Sequence, residues 1–251
     1  MSQGRHLTEP DSSLGEFIDP TTGSGRYYLN PDIAMIRRIV SRLTQITRTA
    51  EIDLDQLGSS GRNIHMPGWI AQSNEFTRQI TEVTGRREIT VLVDCSGSMK
   101  KTWRYHGGLE FVVALKRLHC RNVLKVNCWL SGGNKCYKLP LRRIPEQLIG
   151  LIRPQFNNES FGQCVRNAMP DMKRSSLTVG WTDGMISDGD VDYRLLQRRG
   201  IDIIGCAPRN PVKTESEIQR NMIKHFGKGY VGDAEALARH IAHYALRKSN
   251  S

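Results

Sequence analysis

Short apolar runs alternate with amphipathic stretches from residue 88 to the end of the chain. Four runs have the length and the β-branched content of buried strands, namely 89–93, 123–130, 176–184 and 201–208. Helical spacing occurs between and after them, at 107–120, 143–152, the second half of 154–169, 191–200 and behind Asp233. Strands that alternate with helices form a mainly parallel sheet covered on both faces. The pattern therefore predicts an α/β fold with a doubly wound central sheet flanked by helices.

A separate helical pattern precedes this region. Its apolar positions share one face of a helix and are Ile33, Ile36, Val40, Leu43 and Ile46. Asn30 is suited to the N-cap, Pro31 to the first helical position and Asp32 to the positive end of the helix dipole. We expect a helix that packs through a single apolar stripe.

Composition divides the chain into three parts. Residues 1–29 are rich in Gly, Ser, Thr, Pro and Asp, and we expect an irregular N-terminal arm there. Residues 30–87 combine the predicted helix with a mixed linker, in which a second, short helix is expected near 68–74. Residues 88–251 form the α/β domain.

The chain has 251 residues, of which 38% are hydrophobic, so a sizeable core is expected. No stretch approaches the roughly 18–20 apolar residues of a membrane span, and the N-terminus has no hydrophobic signal core. The six cysteines show no C-x-x-C pair, and we expect mostly buried thiols. An intracellular, cytoplasmic protein without membrane contact is the resulting expectation.

Positive charge is concentrated in one segment. The net charge is +11, and residues 100–143 contain eleven Lys or Arg but the single acid Glu110. Such a segment attracts an acidic protein surface or nucleic acid, or it is a solvated basic face. RNA binding through this face is therefore kept as an alternative function.

A candidate metal site follows the first predicted strand. The run at 89–93 ends on Asp94, and Ser96 and Ser98 follow at alternate positions around Gly97. Mg²⁺ takes about six oxygen ligands in proteins, including waters. One carboxylate and two hydroxyls within five residues form part of such a shell, but this pattern alone is also compatible with an ordinary turn.

Two further loops strengthen the metal interpretation. The strand at 176–184 ends in Thr182-Asp183-Gly184, and Ser160 lies just before a predicted helix. Ligands bind at the carboxyl ends of parallel strands, where such loops meet. The predicted metal ligands are therefore Asp94, Ser96, Ser98, Ser160 and Asp183, with Mg²⁺ as the expected ion and Mn²⁺ or Ca²⁺ as alternatives.

Asp94-Cys95-Ser96-Gly97-Ser98 resembles the D-x-S-x-S signature of von Willebrand factor type A (VWA) domains, whose metal-ion-dependent adhesion site is called MIDAS. Thr182-Asp183-Gly184 is similar to the third loop of that site, and Ser160 stands where the family usually has Thr. This substitution leaves Asn158 or Glu159 as alternative ligands in the middle loop. The resemblance covers roughly residues 88–251. It implies a Rossmann-like fold and a metal ion with one open position for a partner's carboxylate.

The predicted helix with Arg37, Arg38 and Arg42, together with the basic link before the motif, resembles the corresponding region of intracellular VWA proteins. These are the cobalt-chelatase and magnesium-chelatase subunits and proteins that act with MoxR-type AAA+ ATPases, the cobalt-chelatase large-subunit type being nearest. The resemblance implies a non-catalytic adaptor that engages an acidic residue of an AAA+ ATPase. The residues directly after the motif are candidates for contacting this partner: Lys100, Lys101, Trp103 and Arg104.

An enzyme is the remaining alternative, with Asp94 as the nucleophile of a metal-dependent phosphoryl transfer. That chemistry normally needs a second carboxylate two residues further on, and Ser96 occupies the position. The chain has no G-x-x-x-x-G-K-[ST] motif, so we do not expect it to hydrolyse ATP by itself.

Overall fold

A six-stranded sheet forms the centre of the computed structural model, which describes residues 14–18, 30–47, 57–58, 63–64, 77–78, 88–172, 177–186, 193–209 and 213–249. Its strands are β4 (Glu88–Asp94), β5 (Lys125–Gly132), β6 (Lys135–Leu139), β7 (Leu177–Trp181), β8 (Asp202–Pro208) and β9 (Gly229–Gly232). Three two-residue strands form a separate antiparallel sheet: β1 (Leu57–Gly58), β2 (Asn63–Ile64) and β3 (Thr77–Arg78).

The strands of the central sheet lie in the order β6-β5-β4-β7-β8-β9. Only β6 runs antiparallel to its neighbour, and the other four pairings are parallel. The chain first builds the sheet outward from β4 to β6, then returns and builds outward from β7 to β9. The strand order therefore reverses between β4 and β7, which is the position where open α/β sheets bind ligands.

Helices cover both faces of this sheet, which confirms the predicted fold class. They are α1 (Ile33–Thr44), α2 (Lys100–Tyr105), α3 (Gly108–Cys120), α4 (Glu146–Ile149), α5 (Phe161–Ala168), α6 (Tyr193–Arg198), α7 (Glu215–Phe226) and α8 (Ala234–Ser249). On one face, Val91 and Val179 pack in a cluster with residues of α1, α3 and α8. On the other, Leu92 packs with residues of α5 and α7. Successive strand residues point to opposite faces, so both clusters are built from the same apolar runs.

Helix α1 differs from the prediction at its start. Its N-cap is Asp32 and not Asn30, because the Asp32 carboxylate accepts hydrogen bonds from the N–H groups of Ala34 and Met35 at 2.8 and 3.1 Å. Ile33 is 44% exposed, and Ile39 is buried in the apolar stripe that the other positions form. Pro31 consequently lies before the helix.

The elements absent from the sequence prediction are α2, β6, α7, β9 and the short strands β1, β2 and β3. Strand β6 lies in the basic segment after β5, where the sequence pattern predicts no strand. A two-residue turn joins β5 and β6, and Gly133 and Asn134 in this turn both have positive φ. Helix α7 and strand β9 follow β8. Thr214 and Glu217 form a capping box at the start of α7. The helix predicted at 143–152 is limited to the four residues of α4, and the one predicted near 68–74 lies outside the described residues.

The cysteine prediction is confirmed for five of the six residues, since all six are free thiols and Cys120 alone is exposed. Helix α8 begins as predicted, with Asp233 accepting a hydrogen bond from the N–H of Ala236 at 2.8 Å. Among the described residues, no helix combines the length and the apolar character that a membrane crossing requires.

Candidate metal centre

Asp94 ends β4 and is fully buried at the carboxyl edge of the sheet. Its Oδ1 accepts a 2.7 Å hydrogen bond from the N–H of Ser96, which turns the chain sharply away from the strand. A single 3-10 turn (Gly97–Met99) and α2 follow directly. The carboxylate is thus held below the loop that carries the two candidate serine ligands.

The two serines of this loop present their hydroxyls to each other. The Oγ atoms of Ser96 and Ser98 lie 3.0 Å apart. Ser96 is almost fully buried, whereas Ser98 is exposed. Each hydroxyl oxygen retains lone pairs for a further partner. The two serines therefore offer two neutral oxygen atoms that could act as metal ligands next to Asp94.

The loop after β7 supplies the second carboxylate. Thr182 donates its hydroxyl to Oδ2 of Asp94 at 2.7 Å, and this bond joins the two strand ends across the reversal point. Asp183 is 1% exposed, and its Oδ1 accepts the N–H of Met185 at 3.0 Å. Its Oδ2 is buried and has no hydrogen-bond partner. An ionised oxygen in that condition is costly unless a cation compensates it.

The electrostatics of the site also favour a bound cation. The pKa of Asp94 is raised from 3.8 to about 7. Burial is the main cause and the negative charge of Asp183 adds to it, whereas hydrogen bonds from Ser96 and Thr182 act against the increase. Two buried carboxylates with hydroxyls beside them fit a hard divalent cation such as Mg²⁺, which prefers oxygen ligands. No group of three or more His, Cys, Asp or Glu side chains in the described part of the chain suits a metal ion, so hydroxyls and water would have to complete the shell.

Ser160 lies at the N-cap of α5 in the left-handed region, with φ of 49°. Its Oγ accepts the N–H of Asn134 at 2.5 Å and donates to Oδ1 of Asn158 at 2.8 Å. The middle loop is fastened to the first one, because the N–H of Gly97 donates to the carbonyl of Phe156 at 2.7 Å. The structure therefore links Asp94, Ser96, Ser98 and Asp183 through hydrogen bonds and charge, while the side-chain hydroxyl of Ser160 bonds to Asn134 and Asn158.

Thr182 is a site residue that the predicted ligand set omitted. Its hydroxyl donates to Asp94 and also accepts the N–H of Gly184 at 3.3 Å, so it orients both carboxylate loops. The signal was present in the sequence as the hydroxyl residue directly before Asp183. It could not be assigned a partner before the two strand ends were known to be neighbours.

The residues predicted to contact a partner have different environments. Lys100 and Lys101 are exposed on α2, beside the first loop. Trp103 is 1% exposed and packs against Gly108, so its ring is not available at the surface. The side chain of Arg104 lies outside the described residues.

Tertiary contacts neutralise part of the basic segment. Among the described side chains, four cations of this segment form ion pairs with acids from elsewhere in the chain, at 2.8, 3.0, 2.8 and 2.7 Å: Arg117–Glu146, Lys125–Glu88, Lys135–Glu16 and Lys138–Asp171. The local excess of positive charge that the sequence shows in residues 100–143 is therefore smaller in the folded protein.

No family model and no curated protein matches the chain. Among solved structures, the conserved hypothetical protein BatB from Bacteroides thetaiotaomicron is similar at 15% identity and a TM-score of 0.46, over 66% of this chain and 100% of that one. The pilus adhesin SpaC from Lactobacillus rhamnosus GG, in its open conformation, has 13% identity and a TM-score of 0.44, over 64% of this chain and 30% of that one. Proximal thread matrix protein 1 from the mussel byssus has 14% identity and a TM-score of 0.44, over 64% and 46%. These values are too low to assign the chain to a family.

Proposed function

We propose that this chain is a non-catalytic protein-binding module of the VWA type. It holds Mg²⁺ at a MIDAS-like centre built on Asp94, Ser96, Ser98 and Asp183, with the loop of Ser160 completing the site. The ion keeps one position open for a Glu or Asp of a protein partner. The proposed partner is an AAA+ ATPase of the MoxR or chelatase type, for which the chain acts as an adaptor.

The observation that carries this proposal is the unpartnered Oδ2 of Asp183. This oxygen is buried at the reversal point of the sheet, and the charge of Asp183 is close enough to the fully buried Asp94 to raise the pKa of that residue. Two close carboxylates without a cation repel each other and lose their hydration. A divalent cation removes both penalties, which gives a physical reason for keeping such a pair.

Protein binding is favoured over turnover by the donor set. Hydroxyls are neutral ligands, so the ion retains much of its charge and attracts an incoming carboxylate. The Asp94 carboxylate is engaged by the N–H of Ser96 and the hydroxyl of Thr182, which orients it as a ligand and leaves it poorly suited as a nucleophile. Lys100 and Lys101 lie beside the loop and would attract an acidic partner.

The choice of an AAA+ ATPase rests on the sequence resemblance alone. The arginine-rich helix, the basic link and the D-x-S-G-S-M run are similar to intracellular VWA proteins. Co-purification tests this partner directly: tagged protein is incubated with candidate MoxR-type and chelatase-type ATPases, with ATP and Mg²⁺ or with chelator. Retention that needs Mg²⁺ supports the adaptor role, and retention that survives the chelator contradicts a metal-bridged contact.

The metal site itself is tested by titrating Mg²⁺ into the chelator-treated protein by calorimetry. We expect saturable binding by the wild type and a loss of affinity of at least about tenfold in Ser96→Ala/Ser98→Ala. Ser216→Ala is the matched control, because Ser216 is exposed on α7. If the double variant binds Mg²⁺ as the wild type does, the assignment of these ligands is wrong.

A further inference from the structure

Phe17 is a fully buried ring in the 3-10 turn Leu14–Phe17, within the part of the chain for which the sequence predicts an irregular arm. Its centroid lies 5.0 Å from that of Phe156 in an edge-to-face arrangement and 6.3 Å from that of Tyr137. Aromatic pairs of this kind stabilise a contact by about 0.5–1.5 kcal/mol beyond the burial of their area. The 3-10 turn Leu14–Phe17 thus brings a remote part of the chain onto the segment between α4 and α5.

Polar contacts hold the same turn in place. The N–H of Arg153 donates to the carbonyl of Phe17 at 2.9 Å, and Ile18 forms an antiparallel bridge with Ile152. Glu16 forms a 2.8 Å ion pair with Lys135 of β6. The contact is therefore ordered by backbone pairing and charge as well as by the buried ring.

The ring of Phe156 contacts Phe17 on one side and covers the β5–β6 turn on the other. A Cβ added at Gly132 or Gly133 would collide with this ring, so both glycines leave the space that the ring fills. Phe17 and the turn enclose Phe156 between them. The position of Phe156 is consequently determined by the N-terminal turn on one side and the hairpin on the other.

The backbone of Phe156 leads directly to the metal loop. Its carbonyl accepts the N–H of Gly97 at 2.7 Å, and the N–H groups of Gln155 and Phe156 donate to the carbonyl of Cys95 at 2.9 and 3.3 Å. Gly97 stands between the two serines whose hydroxyls are 3.0 Å apart. A displacement of Phe156 would therefore move the candidate ligands without any change in their identity.

We propose that Phe17 is a positioning residue for the metal centre, acting through Phe156 and Gly97 on the loop that carries Ser96 and Ser98. This inference rests on the proposed function, since it assigns the N-terminal turn to the same site. Supporting groups outside the ligand shell typically change metal affinity by about 10–100-fold when they are removed. We therefore expect Phe17→Ala to weaken Mg²⁺ binding about tenfold and Phe17→Leu, which keeps an apolar side chain, to restore most of the affinity.

Two measurements on the full chain test the proposal. The first is Mg²⁺ titration of the wild type, Phe17→Ala, Phe17→Leu and the control Leu43→Ala. Leu43 is fully buried on α1, so its truncation also destabilises the core. Loss of affinity in Phe17→Ala but not in Leu43→Ala supports a positioning role. Equal affinities in the two variants overturn it.

The second measurement is hydrogen exchange of the Gly97 amide without metal, relative to the Val91 amide in β4. Global destabilisation changes both amides, whereas a loosened loop changes Gly97 alone. Faster relative exchange of Gly97 in Phe17→Ala supports the coupling, and an unchanged ratio overturns it. If the wild type does not bind Mg²⁺ at all, the proposed function fails, and this exchange ratio still decides whether Phe17 controls the loop.

Discussion

The hydroxyl of Thr182 donates a 2.7 Å hydrogen bond to Oδ2 of Asp94 and so joins the ends of β4 and β7 where the strand order reverses. Both residues are fully buried. The bond brings together two loops separated by 88 positions in the sequence, and it holds the first candidate metal ligand in place.

Thr182→Val removes this donor while keeping the shape of the side chain. The buried carboxylate then loses a partner, and we expect the free energy of unfolding to fall by about 1–3 kcal/mol, with weaker Mg²⁺ binding. Urea denaturation measures the change. Thr178→Val is the matched control, because Thr178 is fully buried in β7 and its Oγ1 has no hydrogen-bond partner. This control should be neutral or stabilising, and an equal loss in both variants would contradict the role of Thr182.

The stability of the metal-free protein should depend on the ionisation of Asp94. Its pKa is raised from 3.8 to about 7, mainly by burial, so the folded state favours the protonated carboxyl. The resulting stabilisation is complete below about pH 4 and is lost as the pH rises through 7, by up to about 4 kcal/mol. We expect the free energy of unfolding in chelator to fall from pH 5 to pH 8 in the wild type, and less in Asp94→Asn. If the free energy of unfolding changes with pH in the same way in the wild type and in Asp94→Asn, this dependence is refuted.

Mg²⁺ requires the ionised carboxylate, so its affinity should change in the opposite direction. Below the pKa of Asp94, the metal competes with a proton, and the affinity should rise with pH until about 7, where it becomes constant. Calorimetric titrations between pH 5 and 8 measure this. An affinity that is independent of pH would show that Asp94 does not exchange a proton for the metal.

Asp183→Asn should separate stability from metal binding. The substitution removes a negative charge that raises the pKa of Asp94, and it removes the unpartnered anionic Oδ2. We expect the metal-free variant at pH 8 to be as stable as the wild type or more stable, by up to about 1–2 kcal/mol, while Mg²⁺ binding is lost. A variant that is destabilised without metal would instead assign Asp183 a purely structural role.

RNA binding through the basic segment should be weak. Four of its described cations are ion-paired, and those exposed without such a pair are Lys100, Lys101, Arg121, Arg142 and Arg143. About five phosphate contacts give a slope of log affinity against log salt no steeper than about −3.5 for single strands. Fluorescence anisotropy with an RNA oligonucleotide in a KCl series measures it. A steeper slope that is unaffected by chelator would favour the RNA-binding alternative.

Several elements could be predicted from the sequence because local patterns determine them. β4 and β8 are buried on both faces, so each is a continuous apolar run bounded by polar residues. The Asp233 cap and the Leu237 and Ile241 positions of α8 are equally local. The T-x-x-E pattern at Thr214 is typical of a helix N-terminus and so also indicates α7, although this helix is not among the elements predicted from the sequence.

β6 was missed for a physical reason. It is an edge strand with Lys135 and Lys138 among its five residues, and edge strands carry charges that obscure the apolar pattern. The N-cap of α1 was misplaced because Asn30 and Asp32 are both good caps, and propensity does not distinguish them. Asp32 also donates its N–H to Glu110 of α3 at 3.0 Å, a contact that the sequence does not reveal.

The sequence by itself determined the fold class, the two carboxylate loops and the serines of the first loop, since strand ends and turn residues are local features. Only the tertiary structure decided that Thr182 bonds to Asp94, that Ser160 bonds to Asn134, and that Phe17 packs on Phe156. It also decided which cations of the basic segment are neutralised. These relationships depend on the order of strands in the sheet and on the path of distant loops, because residues far apart in sequence become neighbours only when the whole core assembles.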